Sequence, residues 1–302
     1  MNDKLLVVGS VAYDCIETPA DSADFILGGS ASYAALAASY FAPTMISAVV
    51  GNDFKDSDIK RLTARAIDLS DVRFDSSKPT FFWRGKYHKN FNSRETLDVR
   101  LNAYENFVPQ LGKDAQGAKY VLLGNISPEI QAATLDLVKA PQYVILDTMD
   151  LWITTAAESL NNLIKRCDLL IVNDSEAKLL AGTQNIICAG NELLKSGAKT
   201  VVIKAGEFGA MLFHREGFFV VPAYPITSLH DPTGAGDSFA GALAGYIAGA
   251  GKVDFETIKN GMLAGAATAS MTVESFSCYK LEQYGIDEIN RRREFIKNIS
   301  KI

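Results

Sequence analysis

The stretch Asp231-Pro232-Thr233-Gly234-Ala235-Gly236-Asp237-Ser238-Phe239-Ala240-Gly241 decides how the rest of the chain is read. Gly234 and Gly236 bracket Ala235, a carboxylate follows at once, and the small, apolar run 239–250 comes next. That run reads as a helix, which puts the glycines at its start. A helix start presents free backbone N–H groups and the positive end of the helix dipole. Glycine there lets an anion approach the backbone closely. Asp237 does not fit a turn that only binds anions, because a carboxylate repels phosphate. It fits a turn that stabilises charge on a group in transit while Asp237 accepts the proton of the attacking hydroxyl. That is phosphoryl-transfer chemistry in outline. On these residues alone, a plain glycine turn with Asp237 as an ordinary first-turn acid stays equally open.

Upstream of the turn the pattern is regular. Strands are expected at 120–123, 143–146, 169–172 and 200–203, and helices at 128–138, 156–166 and 175–180, with another closing at 191–196. Such alternation means right-handed βαβ units and a parallel sheet covered on both faces. Residues 211–213 and 217–221 suit a hairpin, and the helices 239–250 and 255–269 follow. At the other end, Leu5-Leu6-Val7-Val8-Gly9 reads as a buried strand. Gly28-Gly29 makes a second glycine turn before an alanine-rich helix from 32 to 41, stopped ahead of Pro43. Residues 44–50 are a strand ended by Gly51-Asn52-Asp53, and 55–66 an amphipathic helix.

Two stretches break the regularity. Residues 10–27 are mixed, with Asp14, Asp21, Asp24 and a Thr18-Pro19 break, and suit short exposed strands. From 74 to 104, Phe81, Phe82, Trp83 and Tyr87 are interleaved with Arg84, Lys86, His88, Lys89 and Arg94. A wholly buried strand would not carry so many charges. The mixture suits a flap with one face turned to a ligand or a partner chain, with a sheet packed on its own helices as the alternative. The expected architecture is a single α/β domain over 1–302 with a small β lid inserted from 11–27 and 75–105.

The chain has 302 residues, 48% hydrophobic and 22% charged, the balance of a globular enzyme. A net charge of -5 and a pI near 5.3 argue against nucleic acid as the main partner. The apolar stretch 33–50 is too interrupted for a membrane span. Cys15, Cys167, Cys188 and Cys278 are scattered, without a Cys-x-x-Cys pair, which fits reduced thiols in the cytoplasm. No Walker P-loop, dinucleotide fingerprint, His-Glu-x-x-His or Gly-x-Ser-x-Gly element is present. In an open parallel sheet ligands bind beyond the carboxyl ends of the strands. The polar residues after the expected strands are Asp14, Asn52, Asp53, Asn125, Asp147, Asn173, and Lys204 with Gly206. Any one of them more often caps a helix; together on one rim they favour a site.

Several of these segments, in order, resemble the ribokinase/PfkB family of carbohydrate and nucleoside kinases. Asp231 to Phe239 looks like its C-terminal signature, Gly28-Gly29 its N-terminal glycine pair, and Val50-Gly51-Asn52-Asp53 its Val-Gly-x-Asp. Asp147 with Trp152 resembles its Asp-x-Asn-x-x-x-x-Trp region in loosened form, Asn173-Asp-Ser-Glu176 its Asn-x-x-Glu, and Lys204-Ala-Gly206-Glu207-Phe-Gly209 its nucleotide loop. The resemblance covers nearly the whole chain and implies a three-layer α/β/α fold with a mostly parallel central sheet. It implies an ATP-dependent kinase that phosphorylates a hydroxymethyl group of a sugar or nucleoside. Asp237 would be the base, and the backbone N–H groups of Gly234, Ala235 and Gly236 the anion hole.

The same resemblance implies further roles. Asn173 and Glu176 would organise Mg²⁺ through its waters. Lys204, Gly206, Glu207 and Gly209 would border ATP, along with Ala264, Ala267 and Ser270. Asp14, Gly28, Gly29 and Asn52 would face the acceptor. In some relatives a monovalent cation such as K⁺ sits under the anion hole in the loop that here begins at Asp231. Many sugar kinases of the family carry an acceptor-binding Asn after the glycine pair, where this chain has Ser30-Ala31-Ser32-Tyr33. Tyr33 would reshape the acceptor pocket or simply pack. Phe82, Trp83, Tyr87 and Asn125 suit a nucleobase, and a sugar kinase with a lid-mediated homodimer would look similar. A non-catalytic nucleotide or metabolite sensor on the same fold is the alternative from another class.

Overall fold

The computed structural model describes residues 4–88, 91 and 93–299. The first half of the chain forms β1 (Leu5–Val8), β2 (Ala12–Glu17), β3 (Ser22–Gly28), α1 (Ser30–Ala38), β4 (Thr44–Val50), α2 (Asp56–Ala64), β5 (Asp68–Phe74), β6 (Phe81–Tyr87), β7 (Arg94–Arg100) and α3 (Lys113–Gln116). There follow β8 (Tyr120–Leu123), α4 (Pro128–Leu137), β9 (Tyr143–Asp147), α5 (Asp150–Thr155), α6 (Ala157–Ile164), β10 (Leu169–Asn173), α7 (Asp174–Ala181), α8 (Ile186–Lys195) and β11 (Thr200–Lys204). Last come β12 (Ala210–His214), β13 (Gly217–Val221), α9 (Ala235–Ala250), α10 (Phe255–Thr272), α11 (Tyr279–Gln283) and α12 (Ile286–Ile299).

Nine strands make the central sheet, in the order β13-β12-β11-β10-β9-β8-β1-β4-β5. Its pairings are parallel except β11–β12 and β12–β13, which are antiparallel. Successive residues of a strand face opposite sides, and β1 shows the consequence. Leu5 and Val7 join a core with α1, α9 and α10. Leu6 and Val8 join a second core with α4, α6, α7 and α8. This is the α/β/α layering expected of buried parallel strands.

The α1–α9 contact fixes where the glycine turn sits. Every residue of α1 is buried. Gly241, Gly245 and Gly249, four residues apart on α9, leave its backbone against α1 and the residues after it. A Cβ at Gly241 would lie 2.1 Å from the Ala34 carbonyl oxygen, and one at Gly245 2.7 Å from the Ala38 Cα. The two helix starts, Gly29 and Gly234, thereby come to one end of the sheet.

The second sheet has the order β3-β2-β6-β7 and draws its strands from both irregular stretches. β2 pairs β6 in parallel, and both outer pairings are antiparallel. Asp53 anchors its second arm: one carboxylate oxygen accepts the Thr80 backbone N–H at 2.7 Å and the Thr80 hydroxyl at 2.6 Å. Lys89, which belongs to the expected aromatic-basic flap, lies outside the described residues.

Five elements exceed the sequence expectation, the single-turn α3 among them. β5 is an edge strand whose charges mask its period, as edge strands commonly do. α5 is a short helix with no buried residue. α11 and α12 lie beyond the last expected helix. α12 buries only Ile289, Arg292 and Ile296, and Arg292 is satisfied inside by Glu274, Glu288 and the Ser270 hydroxyl. No helix among the described residues is long and apolar enough to cross a membrane.

Candidate active site

The carboxyl ends of β8 to β11, the α9 start and the tip of the second sheet enclose a cleft of roughly 870 Å³. The strand register sets its floor. Asp147 ends β9 opposite Ile171 on β10, and Asn173 ends β10 opposite Lys204 on β11. Neighbouring parallel strands thus deliver an acid, an amide and an amine side by side.

The glycine turn forms one wall. Gly234 is the N-cap of α9 in the left-handed conformation, φ 76°. A side chain there would also meet the Tyr33 ring at 2.3 Å. The loop before it is tied down. The backbone N–H groups of His230 and Asp231 both donate to the Val273 carbonyl, at 2.9 and 3.3 Å. Asp231 is fully buried; its Oδ1 accepts the Thr233 backbone N–H at 2.9 Å, and its Oδ2 has no partner. Asp237, in the first turn of α9, is partly buried on the cleft wall.

A buried cation stands behind the turn. Lys204 Nζ lies 3.1 Å from both oxygens of Asp147. A Cβ on Gly236 would sit 3.0 Å from that amine. Burial works against the Lys204 charge, but Asp147, Glu176 and Asp237 outweigh it and raise its pKa. Asp147 is pushed up by burial, against the pull of the Lys204 charge and hydrogen bond. Burial lifts Asp237 to about 6, Asp147 adds to it, and Lys204 and Arg94 oppose it.

Asn173 and Glu176 form a capping box on α7. Glu176 accepts the Asn173 backbone N–H and side-chain amide, each at 2.7 Å, and returns its own N–H to Asn173 Oδ1 at 2.8 Å. Both residues line the cleft. Burial pushes the Glu176 carboxyl up to about 7, with Lys204 opposing. Among the described residues no group of three or more His, Cys, Asp or Glu is placed to hold a metal ion.

The expected residues therefore divide. Gly234, Gly236, Asp237, Asn125, Asn173, Glu176 and Lys204 meet at the cleft, with Ala235 in the same turn. Asp14 reaches the same field from β2. Burial first, then Asp231 and Asp237, pushes its carboxyl up to about 8, and Arg94 and the Gly29 N–H oppose this. Gly28 must lack a side chain, because a Cβ would fall 1.9 Å from Asp14 Oδ2. Gly206, Glu207 and Gly209 sit in the loop after Lys204, outside the cleft wall.

Six further expected residues lie off the cleft wall. Tyr33 is buried, with its ring packed beneath Gly234. Phe82 lies on the other face of the second sheet, with Tyr13, Cys15 and Phe54, because the alternation of β6 turns Tyr87 and not Phe82 inward. Asn52 is exposed and donates to the Ser76 carbonyl. Ala264 and Ala267 are fully buried in α10, and the Ser270 hydroxyl is taken up by Ala267 and Arg292.

Other residues line the cleft without having been assigned. Arg94 begins β7, Phe91 and Ser93 lie between β6 and β7, and Thr148, Met149 and Asp150 follow β9. Trp152 donates its indole N–H to Asn125 Oδ1 at 2.9 Å, which orients the Asn125 amide. The charged, aromatic composition of 81–94 was the available signal for Arg94, but composition does not say which way a strand faces.

The profile of the pfkB family carbohydrate kinases matches residues 2–283. The chain belongs to that family. This PfkB kinase is 28% identical to the cytidine kinase of Thermococcus kodakarensis over 251 residues, 81% of this chain and 89% of that protein. The structure of the nucleoside kinase of Methanocaldococcus jannaschii is similar at a TM-score of 0.77 and 21% identity, covering 97% of this chain and 98% of that one. Arabidopsis thaliana ribokinase, complexed with ribose and ATP, gives 0.77 at 23% identity, covering 98% and 100%. At such identities the structural likeness is one of fold. The family assignment makes this chain an ATP-dependent kinase of sugars or nucleosides.

Proposed function

We propose that this kinase transfers the γ-phosphoryl group of ATP to a hydroxymethyl group of a nucleoside, with Asp237 as general base and the Gly234-Ala235-Gly236 backbone as anion hole. The observation that carries the reading is Asp237 on the cleft wall in the first turn of a helix whose N-cap is a left-handed glycine. The acceptor hydroxyl lies against Asp237, whose carboxylate takes its proton as the oxygen attacks. The N–H groups beside it face the phosphoryl oxygens, and charge stabilisation with positioning is most of what this transfer needs. Lys204 stays paired with Asp147 and supplies fixed positive charge behind the turn. Asp14, with Gly28 and Gly29, holds the remaining hydroxyls of the acceptor.

The capping box suits Mg²⁺ held through water, because its polar atoms face the cleft while being locked in place; bound with ATP, Mg²⁺ neutralises phosphate charge. The unpartnered Oδ2 of buried Asp231 suits a monovalent cation under the turn. A nucleoside is favoured over a free sugar by the long match to a cytidine kinase and by Tyr87 and Phe91 at the acceptor end of the cleft. The exposed Phe25, Leu97, Val99 and Leu101 of the second sheet suit a homodimer contact, which light scattering at micromolar concentration tests.

A screen with MgATP against nucleosides and free sugars tests the function. Phosphorylation of a nucleoside at the highest kcat/KM is expected. Preference for a free sugar overturns the acceptor class, and ATP binding without turnover on any acceptor returns the sensor alternative.

A further inference from the structure

The tip of the second sheet makes one polar contact with the glycine turn that the reaction as described does not use. The Tyr87 hydroxyl lies 3.0 Å from Thr233 Oγ1, and Thr233 immediately precedes Gly234. Tyr87 itself is firmly held. It ends β6, is 7% exposed, and its ring packs with Ile16 and Ile26 of its own sheet and with Trp83, Phe91 and Phe276. Its cross-strand partner in the β6–β7 ladder is Arg94. The Arg94 charge acts on the Tyr87 hydroxyl, opposing the upward push of burial on its pKa.

Both groups in the Tyr87–Thr233 contact are hydroxyls, and either can donate in this bond. Thr233 is then held from two sides. Its backbone N–H goes down to Asp231 Oδ1 at 2.9 Å, and its hydroxyl goes up to the lid. The next residue is the left-handed Gly234, with the Tyr33 ring against it. A small rotation at Thr233 would therefore re-aim the N–H groups of the anion hole.

We infer that Tyr87 is a positioning residue for phosphoryl transfer: its hydroxyl links the second sheet to Thr233, so that the anion-hole turn and Arg94 are set together when this sheet covers the cleft. The inference rests on the phosphoryl-transfer reading of the same site. It concerns the Tyr87 hydroxyl alone, which Tyr87→Phe removes while keeping the ring on the cleft wall. Ground-state binding of ATP depends little on the link, whereas the transition state depends on turn geometry, so its loss falls on kcat rather than on KM for ATP.

The test uses the full chain with Tyr87→Phe, Thr233→Val, Thr233→Ser and the double variant Y87F/T233V. One neutral hydrogen bond corresponds to about a two- to tenfold fall in kcat for Y87F and for T233V. T233S, which keeps a hydroxyl, should hold kcat within about twofold of the parent, and the double variant should be no slower than the slower single variant. Amide hydrogen exchange of the peptide spanning 231–238 should speed up in Y87F, independently of any turnover. Unchanged kcat in Y87F, or single effects that multiply in the double variant, overturns the inference. If the parent transfers phosphate to no acceptor, the functional reading fails separately; exchange then decides the link, with an unchanged rate refuting it.

Discussion

Asp14→Asn should make the ligand-free protein more stable at alkaline pH while weakening its hold on the acceptor. The Asp14 carboxyl is only 4% exposed, and burial with the nearby Asp231 and Asp237 carboxylates lifts it from an ordinary 3.8 to about 8. An acid whose pKa is higher in the folded state binds its proton more tightly there. Stability is then lost as pH rises from the unfolded value near 4 towards the folded one near 8. At about 1.36 kcal/mol per pH unit the span bounds the cost at about 6 kcal/mol. Screening and relaxation in a real site bring the expected effect to about 2–4 kcal/mol. Asparagine removes the titration and keeps an oxygen for the Gly29 N–H. Thermal unfolding of both proteins at pH 4, 6 and 8 should show no difference at the acid end. At pH 8 the variant should melt about 3–6 °C higher. Asp231, Asp237 and Glu176 titrate upward too, but they are common to both proteins and largely cancel. In the same variant KM for the acceptor, measured at pH 7, should rise about two- to tenfold, the loss of one neutral hydrogen bond, since the Asp14 carboxyl keeps its proton there. A variant that melts at or below the parent at pH 8, or a difference that does not grow with pH, refutes the electrostatic account of Asp14.

Asp237→Asn should lower kcat by about 10²–10⁴-fold with MgATP binding retained in titration calorimetry; full turnover rejects Asp237 as base. Because the Asp237 carboxyl is pushed up to about 6 and acts as the carboxylate, kcat/KM should fall roughly tenfold per pH unit below that value, and a rate flat from pH 5 to 8 speaks against the assignment. Gly241→Ala places a Cβ 2.1 Å from the Ala34 carbonyl oxygen, which is backbone and cannot swing away. The overpacking cost of about 1–3 kcal/mol should exceed the roughly 1 kcal/mol gained in helix propensity, seen as a lower Tm. If a monovalent cation satisfies Asp231 Oδ2, activity should be higher in KCl than in choline chloride at equal ionic strength; equal rates dismiss that site.

What could be read locally was read well. The strands ending at Asp147, Asn173 and Lys204 stand out because a buried parallel strand is a short apolar run whatever surrounds it. β5 and α12 do not stand out, since each hides few side chains and shows its charges to solvent. The glycine turn was legible as a helix start with a misplaced acid, because capping and dipole effects act within one turn of the chain.

The sequence by itself determined the α/β alternation, the glycine turn with Asp237 and the rim of polar residues after the strands. These follow from backbone periodicity, helix-end chemistry and the ordered signatures that resemble the PfkB family. The tertiary structure decided which residues face one another. Tyr33 became the ring beneath Gly234 because α1 and α9 pack backbone to backbone, and Lys204 became the partner of Asp147, 57 residues away, because β9, β10 and β11 are adjacent. Tyr87 rather than Phe82 faces the turn for a similar reason. Strand alternation puts the two residues on opposite faces, but only the docking of the second sheet chooses which face meets Asp237. Such contacts join residues distant in sequence, and local periodicity carries no information about them.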